Sequence, residues 1–182
     1  VTALGRDQAD LSDPQGCAAI IADLKPSVVI NAAAYTAVDK AEEDEATAQT
    51  INAASPGAMA GACVHLDIPF LHISTDYVFD GNGAQAWQET DPVSPQNAYG
   101  RTKLAGEQAV RSTGARHVIL RTAWVFSAHG ANFVKTMLRL SETRDALTVV
   151  NDQIGGPTPA ADIAATLLAL ADHMQDGAKG GT

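Results

Sequence analysis

The sequence predicts an α/β fold, a doubly wound and mostly parallel sheet, and three observations carry that expectation. Short apolar runs of strand length recur along the 182 residues, each followed by a turn and a helix-like stretch, the order of successive βαβ units. These runs lack strict alternation of apolar and polar residues, as expected of strands covered on both faces. Hydrophobic residues make up 46% against 18% charged, so a chain of one-domain size has the material for a core. Five βα units can be read.

Residues 1–4 read as the tail of a strand. Ser12-Asp13-Pro14 then starts a helix, with a capping side chain ahead of a proline that suits the first turn. That helix places Cys17, Ile20, Ile21 and Leu24 on one face and should stop before Pro26. Residues 27–30 are a short β-branched strand, and 32–36 form its exit loop. Residues 38–66, rich in Ala, Glu and Asp, read as helix in two pieces with a break near Glu42-Glu43-Asp44-Glu45, a run that fits a solvated helix face. Residues 70–74 are the next buried strand. The stretch 75–97 is a long loop, and loops of that length in compact domains are usually functional. Helices follow over 99–112, 132–143 and 162–174, with strands at 118–120 and 147–150, before a Gly-rich tail.

Composition narrows the function classes. Lys and Arg total 12 against 21 Asp and Glu, a formal charge of −9, which argues against a nucleic-acid partner held by counterion release. Cys17 and Cys63 are too few for a disulfide framework or zinc site, the pattern of reduced thiols in a cytoplasmic protein. No apolar run approaches the roughly 20 residues of a membrane span, and no signal-peptide pattern opens the chain, so a membrane partner is not expected. The five His residues show no metal spacing, and no metal site is expected.

In open α/β sheets ligands bind beyond the carboxyl ends of the strands, so the residues after each apolar run matter most. Four exits carry polar or special residues: 31–36, 74–77, 121–124 and 151–153. Each taken singly also fits a local strand cap; four at one edge describe a lined crevice that gathers Thr75, Tyr99, Trp124 and Asn151. Tyr99 and Lys103, four apart on a helix, present a phenol and an ammonium to the same side. The pair fits an exposed helical contact, and it equally fits acid/base chemistry, because a cation lowers a phenol pKa from about 10. A Thr75 hydroxyl beside it would hold a substrate carbonyl. Hydride chemistry needs a cofactor, and Ala32-Ala33-Ala34 would let a nucleotide approach the backbone. Arg6, just past the first strand, suits a 2′-phosphate, so NADPH is expected, with room for NADH.

Asp10 to Pro14, Asn31 to Glu42 (NAAAYTAVDKAE), Ser74 to Gly81 (STDYVFDG), Tyr99 to Glu107 (YGRTKLAGE), Thr122 to Phe126 (TAWVF) and Asn151 to Thr158 (NDQIGGPT) together resemble the extended short-chain dehydrogenase/reductase superfamily and, within it, the dTDP-4-dehydrorhamnose reductase family. Tyr-x-x-x-Lys marks the superfamily; STDYVFDG with NDQIGGPT is more specific to the reductases. The resemblance implies a Rossmann-like NAD(P)-binding domain over 1–182. It also implies that the family's first βα unit, with its glycine turn, and its C-terminal substrate part lie outside this chain, which should weaken cofactor binding by residues 1–182 alone.

By the same resemblance Tyr99 donates the proton, Lys103 holds the nicotinamide ribose and tunes Tyr99, and Thr75 orients the sugar carbonyl. Asp76 and Trp124 match sugar-nucleotide contacts, and Asp10, Leu11, Ala34, Tyr35 and Thr36 match cofactor contacts. The implied partner is a dTDP-sugar, with a homodimer as an assembly the resemblance allows. Some members use magnesium at a dimer contact, for which no ligands can be matched here. Two other readings stand beside reduction. One is a sugar-nucleotide epimerase or dehydratase, although Tyr77 stands where dehydratases carry an acidic residue after Thr-Asp. The other is a non-catalytic subunit like the regulatory subunit of methionine adenosyltransferase.

Overall fold

The computed structural model describes residues 1–83, 85–178 and 180–182. Three parallel strands form the central sheet in the order β1 (Val29–Asn31), β2 (Phe70–Thr75) and β3 (His117–Thr122), with Val29 opposite Phe70 and Phe70 opposite His117. A second parallel pair, β4 (Val125–Phe126) and β5 (Thr158–Pro159), follows.

Helix starts are set by local chemistry. Asp13 accepts from Gly16 N at 3.0 Å to open α1 (Pro14–Leu24), and Lys25 closes it in the left-handed region at φ 46°. Asn97 accepts from Gly100 N at 2.8 Å ahead of α5 (Ala98–Ser112), and Asn132 from Lys135 N at 3.1 Å ahead of α6 (Phe133–Ser141). Each such cap satisfies a backbone donor that the helix itself leaves open. The 38–66 region begins with α2 (Val38–Ala41), breaks at the acidic run as expected, and resumes with α3 (Glu45–Gln49). A π-type stretch, Thr50–Ala54, leads from there into α4 (Ser55–Leu66). The last helix is α7 (Ala160–Gln175).

Alternation along the strands divides the core in two. Phe70 and Ile119 pack with Cys17 and Ile21 of α1, Met59 and Cys63 of α4 and Val110 of α5. Leu71, with Ile30, Ile73, Val118 and Leu120 around it, packs against Ile163, Leu167 and Ala171 of α7. Helices therefore cover both faces, and burial of each large aliphatic side chain contributes about 1.5–3 kcal/mol. Two glycines bring α5 close to its neighbours: a Cβ at Gly106 would collide with the Asn52 carbonyl oxygen, and one at Gly100 with that of Tyr77.

Several expectations need correction. The central sheet has three strands, not five. Residues 1–4 and 147–150 join no ladder, and Val1, Val149 and Val150 are exposed. Apolar, β-branched composition does not make a strand without a neighbouring backbone to pair with. Part of the free edge of β3 is met instead by the tail, where Ile119 N donates to Gly181 O at 2.9 Å and Gly181 N to His117 O at 3.0 Å. Leu24 is exposed at the end of α1, outside the face formed by Cys17 and Ile21. The acidic run is more than a solvated face: Glu42 accepts from Ala98 N at 2.6 Å, and Glu45 pairs with Arg101 at 2.9 Å. Among the described residues no helix is long and apolar enough to cross a membrane.

Candidate active site

A cleft of about 790 Å³ opens beyond the carboxyl ends of the three central strands, the position expected for ligand binding in this architecture. Ala32, Ala33 and Ala34 form one wall at the end of β1, and Thr75, Asp76, Tyr99, Lys103 and Trp124 contribute from the other elements.

Thr75 is the last residue of β2 and is 5% exposed. Its hydroxyl donates to Asp76 Oδ1 at 3.1 Å and accepts from Tyr77 N at 3.2 Å, so the short turn after the strand fixes it. Tyr99 enters from the first turn of α5, its ring edge-on to Tyr77 with centroids 5.5 Å apart. Burial pushes the Tyr99 phenol above its usual pKa, the Thr75 hydroxyl pulls against this, and Asp76 adds to the rise. At neutral pH Tyr99 is a protonated phenol, able to give up a proton and not to take one.

Lys103 lies one turn further along α5 and is 2% exposed. Its Nζ donates to Ile73 O at 2.7 Å and lies 3.3 Å from His72 Nε2. Burial brings the amine down to about 8, with Glu107 acting in the opposite sense. This corrects the expectation that the Lys103 charge acidifies the phenol: its nitrogen is turned toward β2, and the groups that move Tyr99 are its burial, Thr75, Asp76 and Tyr77.

Sequence reasoning missed three supporting side chains. Glu107, fully buried, accepts from Ser74 Oγ at 2.6 Å, from Arg121 at 2.7 and 2.9 Å and from Arg111 at 2.9 Å. Burial alone would raise its carboxyl; Arg121, Ser74 and Arg111 outweigh that and hold it below the usual range. Asn52 accepts from Tyr35 N at 2.8 Å and donates to Tyr35 O at 3.2 Å and Thr102 Oγ at 3.1 Å, tying the loop after β1 to α5. His72, also fully buried, sits between Lys103 and Asn31, 3.1 Å from the Asn31 amide nitrogen. A Glu four residues past a lysine and four before Arg111 was a visible signal, but its partners Arg121 and Ser74 and the Asn52 partners Tyr35 and Thr102 are 14 to 50 residues away.

The cofactor candidates divide. Ala34 and Thr36 line the cleft, whereas Tyr35 is held by Asn52 and points its hydroxyl to Asp44 at 3.4 Å. Leu11 gives its carbonyl to Ser55 Oγ at 2.6 Å. Arg6 and Asp10 form an exposed pair at 3.6 Å, and these three lie outside the cleft lining. Trp124 lines the cleft in the left-handed region at φ 46°, its ring against Gly155; such a backbone costs about 1–3 kcal/mol and is common at ligand sites. Asn151 is exposed and does not join Thr75, Tyr99 and Trp124 there. Among the described residues no three His, Cys, Asp or Glu side chains are grouped to hold a metal ion.

The RmlD substrate binding domain family matches residues 1–182. The dTDP-4-dehydrorhamnose reductase of Burkholderia thailandensis is 50% identical over 181 residues, 99% of this chain and 61% of that protein. The crystal structure of a dTDP-4-dehydrorhamnose reductase from Clostridium acetobutylicum superposes with a TM-score of 0.89 at 42% identity, covering 97% of this chain and 63% of that one. The Bacillus anthracis reductase in complex with NADP gives a TM-score of 0.89 at 36% identity, covering 94% and 61%. The chain thus spans about half to three fifths of the length of the curated relatives it matches.

Proposed function

The chain belongs to the RmlD substrate binding domain family, and from that premise we propose that its protein reduces the 4-keto group of dTDP-4-dehydro-L-rhamnose to dTDP-L-rhamnose with NADPH. The observation that carries the reading is a protonated Tyr99 phenol beside the Thr75 hydroxyl, on a cleft whose other wall is three alanines. Those alanines fit a nicotinamide nucleotide, since small side chains permit close approach to the backbone, and Lys103 supplies one buried amine below it. Residues 1–182 act as part of the Rossmann-like cofactor-binding domain.

Bound NADPH would supply the hydride, which no side chain can. The Thr75 hydroxyl orients the substrate carbonyl oxygen, and Tyr99 delivers a proton to that oxygen as charge develops on it. Asp76 and Trp124 hold the sugar nucleotide, Ala34 and Thr36 the cofactor, with Arg6, Asp10, Leu11 and Tyr35 as its outer contacts and Lys103 at the ribose. A cytoplasmic setting goes with this reading.

The test is NADPH oxidation by the intact protein with dTDP-4-dehydro-L-rhamnose, run beside NADH. Turnover with a higher kcat/KM for NADPH supports the assignment and the role of Arg6. Bound NADPH that is never oxidised would favour a non-catalytic subunit.

A further inference from the structure

The segment leading into β5 carries two adjacent glycines, Gly155 and Gly156, and the chemistry just proposed gives neither a part. Neither has a positive φ, so the backbone at both is open to any residue. Their surroundings differ. A Cβ at Gly156 would meet nothing within 4 Å, whereas one at Gly155 would lie 2.9 Å from Trp124 Cε2, 3.1 Å from Cζ2 and 3.2 Å from Nε1. An ordinary carbon–carbon contact is about 3.5–4.0 Å, so a methyl group at 155 would displace the indole by at least about 0.6 Å. The Trp124 backbone is held on its other side: it sits in the left-handed region at φ 46°, and Thr158 N donates to its carbonyl at 3.3 Å where β4 and β5 begin to pair.

Trp124 lines the cleft and Gly155 does not, so the indole stands between the glycine and the ligand space. The ring is 46% exposed, which leaves it open to a ligand on the cleft side. We propose that Gly155 is a positioning residue that seats the Trp124 indole. Its missing side chain leaves the recess into which the ring withdraws, and the depth of that recess sets the room the cleft gives to the hexose of a sugar nucleotide. A flat apolar ring suits the C–H groups of a hexose, while Thr75 and Asp76 take its polar groups. A side chain at 155 drives the indole toward the cleft and narrows it. Position 156 carries no such constraint, since a methyl group there points into open space.

The ligand rests on the reductase reading, but the seat can be tested without it. In the intact protein labelled with ¹⁵N-tryptophan each indole N–H gives one signal, and Trp124→Leu identifies that of Trp124 by its loss. Gly155→Ala should shift the Trp124 signal by more than its line width and leave the other indole signals in place, whereas Gly156→Ala should shift none of them. An unmoved Trp124 signal in Gly155→Ala, or an equal shift in Gly156→Ala, overturns the seat. Calorimetric titration of dTDP-L-rhamnose into the NADPH-bound protein reads the consequence. Gly155→Ala should weaken binding about five- to tenfold, and Gly156→Ala by less than about twofold. In the Trp124→Leu background Gly155→Ala should add less than about twofold, because the ring it displaces is gone. The full loss in that background overturns the positioning role. Failure of the unaltered protein to bind dTDP-L-rhamnose would count against the reductase reading, and the indole signals would still decide the seat.

Discussion

Tyr99 and Lys103 lie one turn apart on α5 but take their surroundings from different parts of the fold. Tyr99 meets Thr75, Asp76 and Tyr77 at the end of β2, whereas Lys103 reaches back along the strand to Ile73 and His72. Tyr99→Phe removes the proton and little else, so turnover should fall by roughly 10² to 10⁴, the usual effect of losing a positioned acid, while NADPH affinity measured by titration stays the same. Near-normal turnover would remove Tyr99 from the mechanism. Glu107→Ala leaves Arg121 and Arg111 without their carboxylate and should cost about 3 kcal/mol in a urea melt. Its carboxyl titrates lower in the folded chain than the unfolded value of about 4.3, so its contribution is fully present above that pH and is lost as pH falls through the folded value. Stability of Glu107→Gln, measured by urea titration between about pH 6 and pH 3, should therefore fall less steeply with acid than that of the unaltered protein. The proposed trio was legible because Tyr99 and Lys103 share a helix and Thr75 ends an apolar run. His72, Asn52 and Glu107 were not, because each gains its meaning from partners that only tertiary packing supplies.

At the scale of elements, the helices were readable from their ends. Asp13, Asn97 and Asn132 each accept from a backbone N–H three residues on, a local contact that a sequence displays directly. Strands are defined by what lies beside them, and so residues 147–150 look like a strand in sequence yet stay exposed, while Thr158–Pro159 pairs with Val125–Phe126 without an apolar run of its own to announce it. Gly106 and Gly100 carry a further element-level constraint, since α5 approaches the π-type stretch and the Tyr77 turn too closely for any Cβ. Gly106→Ala should destabilise by about 1–3 kcal/mol through overpacking, against an otherwise favourable helix propensity of about 1 kcal/mol. Thermal melting decides between them; a higher melting temperature would mean the Asn52 backbone yields freely.

At the scale of the whole molecule, helices on both faces of a parallel sheet force the chemistry to the rim where β1, β2 and β3 end. The doubly wound class was legible from strand-length runs buried on both faces; the number of strands was not, because ladder formation at each sheet edge depends on which backbone arrives there. Among the described residues, Lys103 brings the one buried amine to the cleft. The proposed reaction is hydride and proton transfer to one carbonyl, and label transfer tests it most directly. NADPH deuterated at C4 of the nicotinamide, incubated with the intact protein and dTDP-4-dehydro-L-rhamnose, should give dTDP-L-rhamnose one mass unit heavier, with the deuterium on sugar carbon 4. Unlabelled product, or cofactor and sugar recovered unchanged, would contradict the account.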